Sequence, residues 1–286
     1  METLIADSNI GLPESFNYTQ KNNSISFQEP ITEKFDFQYA PLDNPCEFVH
    51  SLKEAKGPEK SLMNFKKGTT TLGFRFQGGV LLAVDSRASQ GSFDASETVR
   101  KIIEINEFLL GTMAGGAADC QFWEQYLAIQ CRKYQLQHGE RVSVAAASRI
   151  LINILYGYKN QGLSVGCMLA GWDNQGPQLY YLDNDGSRIK GDLFSVGSGS
   201  TYAYGVLDSH YKWDLSLKEA VELGKRAIYH ATFRDAGSGG VVRVYHVHQG
   251  GWDIIHDGLD VNTLHYEFAT EKNMDGSEDQ VGQKLL

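Results

Sequence analysis

The stretch Lys67-Gly68-Thr69-Thr70-Thr71-Leu72 marks the point at which the chain changes character. A threonine hydroxyl is a weak nucleophile at its ordinary pKa and needs a base beside it. If the bond between Gly68 and Thr69 is cut, Thr69 gains an α-amine with an ordinary pKa of roughly 7.7–8.0, which suits a general base near neutral pH. One residue then supplies both nucleophile and base. The alternative is that Thr70 and Thr71 only begin a β-strand, and the tripeptide taken alone favours that alternative.

The composition breaks at this junction. Five of the six prolines precede Thr69, and no arginine occurs before Arg75. Residues 1–68 are polar and show no sustained strand or helix period, so they bury too little apolar surface to fold alone. Residues 69–286 have a normal size for one domain with a substantial core. We therefore predict a leader over 1–68 and one folded domain over 69–286, with a flexible tail after about residue 267.

Charge and hydropathy narrow the class of protein. The N-terminus lacks a basic segment followed by an apolar run, so we expect no secretory signal. No apolar run is long enough to span a bilayer, and the net charge of −9 argues against non-specific binding to nucleic acid. The four cysteines have no metal-ligand spacing, which favours reduced thiols in the cytosol or nucleus. They are Cys46, Cys120, Cys131 and Cys167.

The order of apolar patterns predicts the fold class. Strands come first, then two helices, strands again, helices, and a closing hairpin. Clustered strands and clustered helices favour α+β over alternating units, and we predict a four-layer αββα sandwich in which two antiparallel sheets are flanked by helices. The predicted strands are 70–76, 80–85, 101–106, 108–114, 164–171, 178–183, 189–196, 241–248 and 252–255. The predicted helices are 117–138, one capped by Ser143, and one that Ser216 opens and that runs toward Arg234.

The first two helices are predicted from stripes of apolar residues that recur at helical spacing. We expect both stripes to face the core. They are Trp123, Leu127, Cys131 and Tyr134 in the first helix, and Val144, Ala147, Leu151, Leu155 and Tyr158 in the second.

Lys101 begins the predicted strand Lys101-Ile102-Ile103-Glu104-Ile105-Asn106. Alternation of period two puts Lys101 on the same face as Ile103 and Ile105, a face that we expect to be buried. A buried ammonium beside a hydroxyl favours the alkoxide and has a lowered pKa. Alternatively, Lys101 lies at the end of the strand and its side chain reaches water. The pattern does not separate these two hypotheses.

Two further segments offer groups that such a nucleophile needs. Asp85 closes an apolar run, where it can pair with Lys101 or hold a new N-terminus. The alternative, which its position alone favours, is an ordinary turn acid. Gly115 lies in Met113-Ala114-Gly115-Gly116-Ala117, between a strand and a helix. Backbone N–H groups there can stabilise an oxyanion, although many strand-to-helix turns contain glycine and alanine.

The remaining motifs are less specific. Residues 196–200 and 235–240 form two Gly/Ser turns without the pattern of a phosphate loop. The sequence has no dinucleotide fingerprint and no His-Glu-x-x-His motif. His246 and His248 share one strand face, but no third ligand is suggested, so we interpret them as strand residues. We expect no metal and no cofactor.

Taken together, these residues resemble the proteasome β subunits, a family of N-terminal-nucleophile hydrolases, and among them the eukaryotic type-5, chymotrypsin-like kind. The resemblance covers Thr69 to about Tyr266, and the segment before Gly68 supports no detailed match. It rests on residues 68–72, Val84-Asp85-Ser86-Arg87-Ala88, Lys101 at its fixed distance, and residues 111–120, 204–209 and 211–215.

The resemblance implies a role for each matching residue. Thr69 is the nucleophile and the base, and cleavage between Gly68 and Thr69 exposes it. Asp85 and Lys101 orient and activate it, and the Gly115 N–H stabilises the oxyanion. The residues that support the amine and a nearby water are Ser198, Asp235 and Ser238. The substrate-binding residues are Ala88, Val99, Met113 and Ala117 around an apolar S1 pocket, with Ser89 offering its backbone to a substrate strand.

The resemblance also implies the biological setting. The chain would be a catalytic subunit of the 20S proteasome, a threonine endopeptidase that cleaves after large hydrophobic residues. It would be a zymogen whose segment 1–68 is removed by autolysis. Its partners would be other α and β subunits in stacked seven-membered rings, and its substrates would be unfolded polypeptides of ubiquitin-dependent degradation. It would be found in the cytoplasm and nucleus. Neither nucleic acid nor a membrane would be a partner.

Two alternative functions remain beside this one. The first is a structural ring subunit without activity, against which the intact set of Thr69, Asp85 and Lys101 argues. The second is an N-terminal-nucleophile amidohydrolase that acts on small amides outside a ring. A monomer or small oligomer that cleaves small amides but not peptides would favour the second.

Three positions in two segments depart from the family pattern. Ser89-Gln90 stands where Thr-Ala is usual, and Gln90 adds bulk at the rim of the site. Gly237 stands where the usual Asp-Ala-Tyr-Ser-Gly-Gly has tyrosine. We expect this glycine to loosen the loop that positions Asp235 and Ser238.

Overall fold

The computed structural model describes residues 68–90, 93–268 and 270. The predicted leader before Gly68 and the predicted flexible tail therefore fall almost entirely outside the described residues. The strands are β1 Thr71–Phe76, β2 Gly79–Val84, β3 Ala88–Gln90, β4 Phe93–Ser96, β5 Ile102–Asn106, β6 Leu109–Gly115, β7 Val165–Asp173, β8 Gly176–Asp183, β9 Arg188–Lys190, β10 Leu193–Val196, β11 Val241–His248 and β12 Gly251–Asp260. The helices are α1 Ala117–His138, α2 Val144–Gly157, α3 Ser200–His210 and α4 Leu217–Arg234, and residues 261–268 are helical as well.

Two five-stranded antiparallel sheets form the centre of the fold. The first sheet has the order β10-β1-β2-β11-β12, and the second has the order β5-β6-β7-β8-β9. Apolar side chains from both sheets, such as Leu82, Met168 and Tyr245, form one buried cluster between them. The predicted pair of face-to-face sheets is confirmed.

A pair of helices covers the outer face of each sheet. Helices α1 and α2 pack on the second sheet around Leu127, Leu151 and Leu169. Helices α3 and α4 pack on the first sheet around Leu72, Leu207 and Ile228. Burial of these apolar side chains is the main driving force for stacking the layers. The fold is thus the predicted α+β sandwich of four layers.

Capping residues fix where two of the helices begin. The Ser143 hydroxyl accepts the Ala146 N–H at 3.1 Å at the start of α2. Ser216 and Glu219 form a reciprocal capping box at the start of α4, which satisfies N–H groups that have no partner within the helix. Both caps agree with the sequence prediction.

The buried stripes differ in part from the predicted ones. In α1, Trp123 and Tyr134 are only partly buried, whereas Cys120 and Glu124 are fully buried beside Leu127 and Cys131. The apolar pattern missed this rotation because α1 carries large apolar residues on both faces, including exposed Phe122 and Ile129. In α2 the predicted stripe is buried except for Tyr158, which lies beyond the helix end and is 42% exposed.

The predicted strand 189–196 is in fact two strands in different sheets. Strand β9 pairs with β8, and β10 pairs with β1, with Gly191 and Asp192 between them. The sequence also gave no signal for the short hairpin of β3 and β4, whose Phe93 is 78% exposed. Strand β12 continues to Asp260, beyond the predicted end at Ile255, because it follows β11 through two register shifts.

No helix among the described residues has the length and apolar character needed to cross a bilayer.

Candidate active site

Thr69 lies two residues before the start of β1, and its residue surface is 8% exposed. Its backbone N–H donates to the Ser198 hydroxyl at 3.1 Å, and its carbonyl accepts the Gly199 N–H at 3.3 Å. The Thr69 hydroxyl donates to the carbonyl of Gly68 at 2.5 Å. The peptide bond before Thr69 is intact, so the described state is that of the uncut chain.

Lys101 and Asp85 form a buried ion pair next to this hydroxyl. Lys101 precedes β5, and its Nζ lies 2.6 Å from Asp85 Oδ1 and 3.0 Å from Thr69 Oγ1. The Lys101 side chain is 3% exposed, so the hypothesis that it reaches water is wrong. Ile103 and Ile105 face the helix-covered side of the same sheet. Lys101 instead contacts Thr69 and Asp85, which adjoin the first sheet, so the prediction that it shares a face with those two isoleucines is wrong.

Asp85 follows β2 and is fully buried, with a donor on each carboxylate oxygen. Oδ1 accepts the Thr70 N–H at 2.9 Å as well as Lys101, and Oδ2 accepts the Gly239 N–H at 3.0 Å. The Arg87 N–H adds a longer bond of 3.3 Å to Oδ2. This set of donors satisfies a group whose burial would otherwise be costly, and it is not the environment of an ordinary turn acid.

Burial shifts the pKa of each partner in the direction that favours its neutral form. Desolvation raises the pKa of Asp85, and the charge and hydrogen bonds of Lys101 act against that rise. Desolvation lowers the pKa of Lys101, and Asp85 opposes this change. A lysine with a lowered pKa can accept and return a proton more readily than an exposed one. Its Nζ is within hydrogen-bond reach of Thr69 Oγ1.

The residues predicted to support the Thr69 amine, Ser198, Asp235 and Ser238, form a second hydrogen-bonded group beside Thr69. Asp235 caps the C-terminus of α4, and its Oδ2 accepts hydrogen bonds from the Ser198 hydroxyl at 2.5 Å and from the Ser238 hydroxyl at 2.6 Å. The Ser238 hydroxyl also lies 2.8 Å from Thr70 Oγ1. The carboxylate therefore orients Ser198, which in turn contacts the Thr69 nitrogen.

A cavity of about 580 Å³ opens beside Thr69 and Lys101. It is lined by all five residues that we predicted to bind substrate, and by Gly115 at the end of β6. Gly115 has φ of +109°, and a Cβ there would lie 2.5 Å from the Ser164 carbonyl, so the turn requires glycine. The predicted binding residues on its wall are Ala88, Ser89, Val99, Met113 and Ala117.

Sequence reasoning missed several groups that complete the site. Thr70 and Gly239 donate their backbone N–H groups to Asp85, and Cys120 lines the cavity from α1. Backbone donors carry no side-chain signature, so only the position of Gly239 in a glycine turn hinted at its contact. Arg87 donates to the Ala236 carbonyl at 3.2 Å and to Glu97 at 3.0 Å, which ties the segment after β2 to the loop after α4.

Glu124 lies behind the cavity wall and takes no part in this network. It is fully buried in α1, and neither carboxylate oxygen has a hydrogen-bond partner among the described residues. Gly111 of β6 leaves the space that this carboxyl fills, since a Cβ on Gly111 would overlap Glu124 Oε2. Burial raises the pKa of Glu124 well above its usual value, which favours the neutral form of its carboxyl.

The two strand histidines have separate partners. His246 Nε2 lies 2.9 Å from the Gly78 carbonyl, and His248 Nε2 lies 3.1 Å from Asp253 Oδ2. Within the described part of the chain, no group of three or more His, Cys, Asp or Glu side chains is arranged to hold a metal ion.

Comparison with known proteins gives a consistent result. A family model described as "Proteasome subunit" matches residues 65–247. Proteasome subunit beta type-5-A of Arabidopsis thaliana is 54% identical over 261 residues, covering 91% of this chain and 88% of that protein. Proteasome subunit beta type-5 of Dictyostelium discoideum is 56% identical over 216 residues, or 76% and 79% of the two chains. Proteasome subunit beta type-8 of Homo sapiens is 52% identical over 224 residues, or 78% and 80%.

Proposed function

This chain belongs to the proteasome subunit family, and from that premise we propose that it is a catalytic β subunit of the 20S proteasome, a threonine endopeptidase with chymotrypsin-like preference. The observation that carries the proposal is the contact of the buried Lys101 Nζ with both Thr69 Oγ1 and Asp85 Oδ1, at 3.0 and 2.6 Å. A structural subunit has no physical need for a desolvated lysine at a threonine hydroxyl.

Peptide cleavage follows from these positions once Thr69 is the first residue. Its α-amine takes the proton of the hydroxyl, and Lys101 stabilises the alkoxide that attacks the scissile carbonyl. The Gly115 N–H, at the mouth of the same cavity, is proposed to stabilise the oxyanion. The α-ammonium returns that proton to the nitrogen of the scissile bond, the peptide amine leaves, and water then hydrolyses the ester formed on Thr69. Ser198, held by Asp235, keeps the amine in place through both steps.

We propose that residues 1–68 are a prosegment that autolysis removes. In the uncut chain the Thr69 nitrogen is an amide and cannot act as a base, so the enzyme is a zymogen until the bond to Gly68 breaks. The contact between the Thr69 hydroxyl and the Gly68 carbonyl supports attack on this bond by the chain's own nucleophile.

The cavity supports a preference for large hydrophobic residues at P1. Its walls include the side chains of Val99, Met113, Ala117 and Cys120, and apolar walls favour an apolar occupant. Lys101 lies at its inner end near Thr69 and is already paired with Asp85, so it offers no free charge to an acidic P1 side chain.

Membership of the family implies assembly with other proteasome subunits. We propose the finer arrangement of stacked seven-membered rings of α and β subunits, with unfolded polypeptides of ubiquitin-dependent degradation as substrates. The proposed location is the cytoplasm and the nucleus, and neither nucleic acid nor membrane is proposed as a partner. No cofactor is needed by the mechanism, since Thr69 supplies the nucleophile and its own base.

The test is to isolate assembled particles and to measure the intact mass of this chain before and after treatment with a peptide epoxyketone carrying leucine at P1. We expect a chain that begins at Thr69 and gains the mass of one probe, with the adduct on Thr69. An unlabelled chain that begins at Thr69 would indicate a structural subunit. An active protein found only outside particles, cleaving small amides but not peptides, would indicate an amidohydrolase.

A further inference from the structure

Helix α1 and strand β6 pack against each other at the wall of the cavity. On α1, Cys120 and Glu124 are four residues apart and lie on the same side of the helix. On β6, Gly111 and Met113 are two residues apart and lie on the same side of the strand. The Cys120 thiol donates to the Ala114 carbonyl at 3.4 Å, which places the first turn of α1 at the end of β6.

The contact between α1 and β6 has two layers, and only one of them borders the cavity. Met113 and Cys120 line the cavity, whereas Glu124 lies against Gly111, one layer farther from it. A Cβ placed on Gly111 would overlap Glu124 Oε2 and lie 2.9 Å from Glu124 Cδ. The carboxyl of Glu124 therefore occupies the space that a side chain at position 111 would fill.

Glu124 acts in this contact through its volume. The residue is fully buried, and neither carboxyl oxygen has a hydrogen-bond partner in the part of the chain that the structure describes. A shorter side chain at this position would leave a void into which its neighbours relax. Met113 is the next side chain on this face of β6, and methionine has three rotatable bonds that allow it to fill such a gap.

We propose that Glu124 is a positioning residue for substrate selection, whose volume sets the depth of the cavity that receives the P1 side chain. It acts through Met113 and Cys120 and does not touch the substrate. The inference rests on the proposed function, because it takes the cavity to be the S1 pocket of an endopeptidase. With Glu124 in place, Met113 stays at the cavity wall. With a shorter residue, Met113 withdraws toward Gly111 and the cavity deepens.

The test compares peptides that differ only at P1. Glu124→Ala is expressed with the other subunits as a ubiquitin fusion that releases a chain starting at Thr69, so that autolysis does not limit activity. In assembled particles, kcat and KM are measured for peptides with tryptophan, leucine or alanine at P1. We expect the ratio of kcat/KM for tryptophan to that for leucine to rise about 10-fold, the low end of the effect of one methylene in an apolar pocket. Turnover of the alanine peptide should not change.

Three further variants test whether volume is the cause. Glu124→Gln has the same shape and should keep the P1 profile of the unsubstituted chain. Glu124→Asp is one methylene shorter and should shift the ratio in the same direction by a smaller amount, which gives a reading even if the alanine variant does not assemble. Gly111→Ala combined with Glu124→Ala places a methyl group in the emptied space and should return the ratio toward its original value.

Four results would overturn the inference. An unchanged ratio in both Glu124→Ala and Glu124→Asp, beside normal turnover, overturns it and leaves the proposed function standing. A uniform loss of kcat for all three peptides would mean that Glu124 supports the site as a whole. An equal shift in Glu124→Gln would mean that polarity acts and volume does not. An unsubstituted chain that is inactive when released at Thr69 would overturn the proposed function and the inference with it.

Discussion

The two sides of Thr69 are built in different ways. On one side Ser198, Asp235 and Ser238 hold each other and the Thr69 nitrogen through hydrogen bonds of 2.5–3.1 Å. On the other side the cavity is shaped mainly by apolar contacts, as at Met113, and behind it Glu124 has no hydrogen-bond partner in the described part of the chain.

The difference separates what each side controls. Hydrogen bonds between short side chains fix the position of an atom, so damage to the supporting side should lower the rate for every substrate. Apolar walls fix only a volume, so changes on the cavity side should alter which substrate fits. Lys101 belongs to both sides, because it contacts the Thr69 hydroxyl and also lines the cavity.

The largest loss of activity is expected from a change at Thr69 itself, because both sides act through this residue. Thr69→Ala removes the attacking oxygen, so the prosegment should stay attached and cleavage after hydrophobic residues should be abolished. Intact mass and peptide hydrolysis of assembled particles measure the two results. Thr69→Ser, which keeps the hydroxyl and the amine, is the control, and retained cleavage by the alanine variant would disprove the mechanism.

Lys101→Ala should come next in size. Loss of a group that stabilises charge in the transition state typically costs about 10²- to 10³-fold, and we expect turnover to fall by about that range in chains released at Thr69. Incorporation into particles, checked on the same sample, separates this loss from misfolding. Lys101→Arg keeps the charge in a bulkier group and tests whether charge alone is enough. Unchanged turnover in the alanine variant would remove Lys101 from the mechanism.

Ala117→Val tests the cavity side. Two added methyl groups at its rim should reduce kcat/KM for peptides with large P1 residues about 10- to 200-fold. Peptides with alanine at P1 serve as the internal control, since they do not fill the pocket and should be cleaved as before. An unchanged P1 profile would show that Ala117 lies outside S1, and a uniform loss would mean that the cavity side also sets the rate.

The smallest effect is expected at Glu124, and it concerns stability and pH. Its pKa is raised in the folded chain, so the unfolded chain ionises first as pH rises. The folded state therefore loses stability from its usual pKa of about 4.3 upward. Glu124→Met removes this loss and an unpartnered polar group, and should stabilise the protein at pH 7 by about 1–3 kcal/mol.

Heat-induced unfolding of assembled particles at pH 5 and pH 8 measures the Glu124 effect. Glu124→Gln keeps the shape but does not titrate, so it should flatten the pH dependence without the full gain in stability. A Gln variant with the same pH dependence as the unsubstituted chain would show that Glu124 is not the titrating group.

Much of the fold was readable from local patterns, and the failures have physical causes. Helix α1 has the predicted bounds 117–138, and the predicted caps at Ser143 and Ser216 are present. The predicted strand 189–196 was wrong because sheet membership is a long-range property that eight apolar and polar residues do not encode. Glu124 was missed because a glutamate on a helix is normally on the surface.

The candidate site shows the same limit. The residue types of Thr69, Asp85 and Lys101 were recognisable one by one, but each had an equally simple local explanation. What removes those explanations is distance in space between residues that lie 16 and 32 positions apart in the chain. The close approach of the Gly68 and Gly237 backbones has no local sequence pattern at all, because neither residue has a side chain.

The origin of the catalytic groups in the two sheets has one more consequence. Thr69 and Asp85 adjoin β1 and β2 of the first sheet, whereas Lys101 precedes β5 and Gly115 ends β6 of the second. The catalytic residues thus come from both sheets, and neither sheet alone supplies all of them. A slide of one sheet over the other by a fraction of a side chain would break the contact at Lys101 while the core stayed closed. Activity should therefore depend on the alignment of the two sheets. On heating, we expect activity to be lost before the domain unfolds.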